Sequence, residues 1–257
     1  MGEVRITVLG TAQDGGFPQP GCSRECCQRV LLNGSLRRYP VSLGIRGLDG
    51  STHLIEASRH MGEQFEIWPD YGSTEEQLSS VSITHAHLGH IDGLGLFGKE
   101  VMGVENLKIQ CSHTVSQFIE NNPMWRELWE QDVITTQTWM PNQSFEPSSG
   151  CGFSITPIPV PHRDELSDMH ALLIATRQRK LLFLPDHDSW EETLAESYNK
   201  QITRKNFLQG AGAAFAGLAT GQLPAVSQAI LNNQEPLRIG IIGSGRIGGA
   251  VGLKWAE

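Results

Sequence analysis

An apolar strand pattern, Val81-Ser82-Ile83, runs directly into Thr84-His85-Ala86-His87-Leu88-Gly89-His90-Ile91-Asp92-Gly93, and this junction constrains the chain more than any other segment. Three of the nine histidines in 257 residues fall within six positions, where a strand ends in a turn. Side chains so placed converge on one small volume, and imidazole is the commonest protein ligand for zinc and suits iron as well. A solvated loop with incidental histidines is the plain alternative. It does not account for two further strand patterns that end in matching groups: Ile155 to Pro161 leads to His162, and Leu181 to Pro185 leads to Asp186. A lone histidine or aspartate after a strand is usually a turn residue or a helix cap. Three such strand ends in succession predict one metal site assembled at a sheet edge.

The surrounding segments alternate in character. Strand-like runs lie at 4–9, 41–46, 52–57, 107–111, 132–138, 153–160, 170–176 and 180–185, and helical patterns at 61–67, 90–98, 113–121 and 188–199. Interleaving of this kind indicates an α/β architecture. Gly10 to Pro18 is a loop of turn formers. At 39% hydrophobic residues the chain can bury a substantial core. A formal charge of −8 argues against nucleic acid as the main partner, because phosphate binding needs a basic surface, and leaves a small-molecule substrate as the expectation. No apolar run approaches the roughly 20 residues of a membrane span. Glu3 to Leu9 opens on a strand pattern with no export signal, so the expected location is cytoplasmic.

The order strand, H-x-H-x-x-H, then His162 and Asp186 after later strands resembles the metallo-β-lactamase superfamily. Val8-Leu9-Gly10-Thr11-Ala12-Gln13-Asp14-Gly15-Gly16-Phe17-Pro18-Gln19, Pro161-His162-Arg163-Asp164-Glu165 and Leu184-Pro185-Asp186-His187-Asp188 are similar to the pyrroloquinoline quinone biosynthesis protein B family and its relatives. The resemblance covers about residues 3 to 199. It implies an αββα sandwich with a metal site at one edge of the two sheets. It also implies that His85, His87 and His162 hold a first metal, that Asp186 bridges, and that His90 belongs to a second. A metal there would acidify water and polarise a substrate oxygen, with Asp186 or Asp188 assisting proton transfer.

Two departures from the superfamily pattern matter. The usual H-x-H-x-D-H has an aspartate where this chain has Gly89; Asp92, three residues on, would replace it only if the local turn redirects it. No histidine follows His187. His90 and Asp186 alone are too few for tight zinc binding, which favours four ligands. The expectation is therefore one zinc, on three histidines, Asp186 and solvent, with iron as the other metal such donors accept. The function expected is that of a metal-dependent hydrolase; an impaired or non-catalytic metal-binding protein and an iron-dependent oxygenase-type enzyme are the alternatives.

Five cysteines, three of them Cys22, Cys26 and Cys27, suit a reduced compartment better than a disulfide framework. The related family carries a structural zinc near here on C-x-C-x-x-C. This C-x-x-x-C-C spacing leaves structural zinc and free thiols both open. Cys111 and Cys151 read as core residues.

Beyond residue 201 the character changes. Residues 202–236 read as a linker and resemble a twin-arginine export signal: T-R-K-N-F-L, a small-residue stretch, then Ala225-Val226-Ser227-Gln228-Ala229. Residues 237–257 resemble the first β-α unit of a Rossmann domain, an apolar strand leading to Gly243, Gly245 and Gly248. The second strand and its acidic ribose ligand are missing, so dinucleotide binding is not expected. The expectation is a metallo-β-lactamase domain over 1–201, cut short after Asp186 and joined to an unrelated fragment.

Overall fold

A computed structural model describes residues 3–72 and 78–188 and the backbone of the strand 239–242. Six strands form the first sheet in chain order: β1 (Arg5–Gly10), β2 (Ser42–Arg46), β3 (Thr52–Ile55), β4 (Ser80–Ser82), β5 (Leu107–Cys111) and β6 (Ile134–Thr138). The first three pair antiparallel, and β3 to β6 run parallel. The second sheet contains β7 (Ser154–Pro159), β8 (His170–Ala175) and β9 (Lys180–Phe183) in antiparallel order, with β10 (Ile239–Ile242) parallel to β9 at its edge.

The period of two along each strand separates two cores. Leu43, Ile45 and Ile55 point into the space between the sheets and meet Ile155, Leu172, Ile174 and Phe183. Leu54, Val81 and Ile109 point the other way, against Met61, Trp68, Val115, Ile119 and Trp125. These last residues belong to or adjoin α2 (Met61–Glu66), α4 (His113–Asn121) and α5 (Pro123–Glu130). The described layers are thus helices, sheet and sheet, three of the four expected of an αββα sandwich. The helix expected over 188–199 falls outside the described residues from 189 onward, as do the segment 202–236 and Gly243, Gly245 and Gly248.

Two helices are absent from the periodicity reading, α1 (Glu25–Leu32) and α5. Each spans two turns, too short for a periodic pattern to stand out. The start of α5 is nonetheless written locally: the Asn122 side chain accepts from the Met124 N–H, and Pro123 fills the first helical position. The helix expected over 90–98 divides instead into α3 (Leu88–Ile91) and a 3-10 turn over Asp92–Phe97. Close contact forces that break. A Cβ on Gly93 would lie 2.2 Å from the Ser58 carbonyl oxygen, so the turn presses onto the chain leaving β3.

Strand directions decide where the chemistry collects. Antiparallel pairing of β1 with β2 and of β2 with β3, then parallel pairing of β3 with β4, sends β1, β3 and β4 the same way. In the second sheet β7 and β9 likewise share a direction.

Packing at Gly44 gives a first prediction. A Cβ there would meet the buried Trp68 ring at 2.3 Å, so Gly44→Ala should lower stability by about 1–3 kcal/mol in urea denaturation. An unchanged midpoint would show that the ring moves freely. A second prediction concerns His53, whose ring nitrogens lie 2.8 Å from Ser51 Oγ and Ser80 Oγ. Burial lowers its pKa from 6.5 to about 4. The unfolded chain therefore takes up this proton first, and stability falls as pH drops through that window. His53→Gln should flatten the acid limb of a Tm-against-pH curve between those values.

Candidate metal centre

The C-terminal ends of β1, β3, β4, β7 and β9 deliver Asp14, Glu56, the histidine cluster, His162 and Asp186 to one edge. Backbone bonds fix these strand ends against one another. Glu56 N–H donates to Ser82 O and Ala57 N–H to His90 O, tying β3 to the cluster. His170 N–H donates to Thr84 O, and Ala86 N–H to Ser167 Oγ, tying the cluster to the second sheet. Asp188 N–H donates to Pro161 O, joining the loops that carry His162 and Asp186.

His85, His87, His162 and Asp186 each aim one ligand atom at a common point, all within 4.8 Å of one another. His87 Nδ1 lies 2.9 Å from His85 Nε2 and 3.1 Å from His162 Nε2. Asp186 Oδ2 lies 3.5 Å from His85 Nε2 and 3.8 Å from His162 Nε2. Zinc binds imidazole nitrogen at about 2.0–2.1 Å, so neighbouring ligands of a tetrahedral ion stand about 3.3 Å apart. The four observed separations straddle that value.

The outward ring nitrogens settle the tautomers. Thr84 Oγ1 donates to Glu56 Oε1 at 2.5 Å, so its oxygen accepts from His85 Nδ1 at 2.9 Å. His162 Nδ1 meets Asp188 Oδ1 at 2.9 Å, and His87 Nε2 meets Glu165 Oε1 at 3.3 Å. With a proton on each outward nitrogen, a bound cation would meet three inward lone pairs. Burial keeps His85 uncharged, with its pKa lowered to about 3, and lowers that of His87 with the help of neighbouring His162. Burial opposes the charge on Asp186, yet His85 and His90 hold its carboxyl well below the usual range. Three inward imidazole nitrogens and an ionised carboxylate fit a divalent cation.

His90 is fully buried and has a different environment. Its Nδ1 faces Glu56 Oε1 at 3.3 Å, and its Nε2 faces Asp186 Oδ2 at 3.1 Å and Asp14 Oδ1 at 3.7 Å. Burial opposes a charge there, but Glu56, Asp14 and Asp186 outweigh it and raise the His90 pKa well above its ordinary value. Asp14, His90 and Asp186 form the second of the two ligand clusters found among the described residues. Asp92 belongs to neither; it pairs with Arg59 at 2.7 Å.

Cys22 lies before α1, while Cys26 and Cys27 are in its first turn, Cys26 exposed and Cys27 buried. Their thiols interact pairwise, Cys27 with Cys22 and with Cys26, but the three are not among the ligand clusters of the described residues. Cys111 and Cys151 are buried in the two cores. Sequence reasoning missed Asp14, Glu56, Thr84 and Glu165 as members of this centre. Glu56 carries the one readable signal, an ionisable residue directly after an apolar strand.

The beta-lactamase superfamily domain matches residues 53–202, a span that includes Glu56, the histidine cluster, His162 and Asp186. The chain belongs to the metallo-β-lactamase superfamily. Coenzyme PQQ synthesis protein B of Xanthomonas campestris pv. campestris (strain B100) is 28% identical over 164 residues, covering 62% of this chain and 52% of that protein. The chain thus spans about half the length of the curated relatives it matches. Zinc-bound PqqB from Methylobacterium extorquens has a TM-score of 0.64 at 17% identity, over 95% of this chain and 89% of that one. A diphosphatase of the PhnP family has a TM-score of 0.53 at 17% identity, over 75% and 70%. Both likenesses are of fold. Among the described residues, no helix is long and apolar enough to cross a membrane.

The carboxylate behind His162 yields a third prediction. Asp188→Asn leaves the inward nitrogens in place but weakens the partner that orients one of them. Zinc affinity, read by chelator competition, should fall about 10–100-fold. An unchanged affinity would mean that Asp188 does not orient His162.

Proposed function

We propose that this chain is a metal-dependent hydrolase related to PQQ synthesis protein B, acting on a small-molecule substrate. The observation that carries the reading is the convergence of three inward imidazole lone pairs and Asp186 on one point. Zinc is the proposed ion, supported by the donor chemistry and by the zinc-bound PqqB neighbour of similar fold. A divalent cation held there would supply Lewis acidity, making a water more acidic and polarising a substrate oxygen.

The remaining work belongs to the chain's own groups. Asp186 is held in its ionised form, so its carboxylate can accept a hydrogen bond from water at the centre and orient it. Asp188 holds His162, while Thr84 and Glu56 hold His85, so neither ring has to turn as charge develops. Glu165 sits at the exposed rim beside His87 and Arg163, where an incoming substrate first meets charge. The same donors, three imidazoles and a carboxylate, also accept iron, and an oxidative role in quinone-cofactor biosynthesis is the second reading.

Metal analysis of the purified full chain beside His87→Ala, with hydrolysis assays on lactone, thioester and phosphodiester probes, tests the proposal. The expected result is bound zinc and measurable hydrolysis in the parent, with both sharply reduced in the variant. Iron in place of zinc, with no hydrolysis, would favour the oxidative reading. Absence of metal from the parent, with unchanged stability in the variant, would leave a non-catalytic protein.

A further inference from the structure

We infer that Asp14, from the loop after β1, completes a second metal position with His90 and Asp186, and that Gly89 is the residue that lets it in. The inference rests on the metal-centre reading above and extends it to a dinuclear site. Three observations support it.

The first is convergence. Asp14, His90 and Asp186 bring one ligand atom each within 4.8 Å of one another. The Asp186 oxygen that faces His90 Nε2 at 3.1 Å is also the one facing His85 and His162, so a single atom lies between the two clusters. Glu56 faces the far nitrogen of His90, so it can hold that proton once Nε2 gives its own up to a cation.

The second is shared volume. A Cβ on Gly89 would lie 2.5 Å from both Cβ and Cγ of Asp14 and 2.6 Å from its Cα. No side chain at 89 coexists with Asp14 where it stands. A carboxylate attached at residue 89 would start from the space the Asp14 side chain now fills, beside the same two partners. The two positions are therefore alternative origins for one negative group.

The third is rigidity. Thr11 and Ala12 N–H groups donate to Tyr39 O, and Val41 N–H donates to Ala12 O, on one side of Asp14. On the other side Phe17 and Arg38 exchange backbone hydrogen bonds, and Gly16 N–H closes a turn onto Gln13 O, with Gly16 in the left-handed region at φ +74°. Asp14 is thus presented by a loop fastened at both ends, as a first-contact ligand must be.

Zinc titration of the full chain, with bound metal counted after gel filtration, tests the assignment. The variants are Asp14→Asn, Asp14→Gly, Gly89→Asp and the double exchange Asp14→Gly with Gly89→Asp. We expect Asp14→Asn and Asp14→Gly each to hold one zinc fewer than the parent, while His87 and its partners keep theirs. The double exchange should recover the lost equivalent. Thermal melts of the metal-free proteins give an independent readout. Gly89→Asp alone should lower Tm, and removing the Asp14 side chain should relieve most of that loss, a non-additive pair in a double-mutant cycle. Unchanged stoichiometry in Asp14→Asn, together with additive melts, would overturn the inference and leave a single-metal centre standing. No difference in zinc content between the parent and His87→Ala would instead sink the underlying centre.

Discussion

A carboxylate with no solvent exposure lies under the metal centre, and the arrangement above it depends on how that charge is met. Glu56 is buried completely at the end of β3, in the left-handed region at φ +68°. Burying a carboxylate costs several kcal/mol unless partners replace water. The partners here are the Thr84 hydroxyl and N–H, together with His90 Nδ1. Because β3 and β4 are adjacent and parallel, the chain leaving β4 passes over Glu56 at the height needed for Thr84 to reach it. His85 is fixed through Thr84, and His90 faces the carboxylate directly. One buried charge thus aligns histidines of both ligand clusters.

The rest of the centre repeats that device with exposed groups. Asp188 and Glu165 do for His162 and His87 what Thr84 does for His85, at the solvent side of the edge. The centre therefore grades from dry to wet, with His85 and His90 on the buried side and Glu165 at the rim. Dryness strengthens every interaction around the inner histidines, while the rim is open to solvent. Among the histidines His90 faces the most negative surroundings: Glu56, Asp14 and Asp186 favour its charged form against the cost of burial. On the inference of a second metal position, a cation at Nε2 would displace the proton there.

Superfamily membership does not by itself fix the ligand set. The centre draws on five strand ends, and a ligand supplied by one can be supplied by another whose tip reaches the same volume. On the inference of a second metal position, Gly89 and Asp14 are such a case, since the bare backbone of α3 leaves room for the β1 loop beside the cluster. A sheet edge tolerates such exchange because its strands are spaced by fixed hydrogen bonds while the loops beyond them are free to vary. Substrate choice rests on those loops as well, and a shared fold leaves it open.

Sequence alone determined the α/β layering and the principal members of the candidate centre. His85, His87, His162 and Asp186 were legible because each follows an apolar run, and strand ends are where short-range pattern and site placement coincide. The strands and α4 were legible for the same reason, while α1 and α5 were too short for periodicity to reveal. Asp14 was not legible as a member of this cluster, because an aspartate among glycines and proline reads locally as a turn residue. Asp92 could replace the aspartate missing at 89 only if the local turn redirected it, and the turn leaves it paired with Arg59. The histidine cluster after β4 was a fact of local order in the chain. Which carboxylates stand around it depended on strand direction and on the volume left by a missing Cβ, and only the tertiary structure decides those.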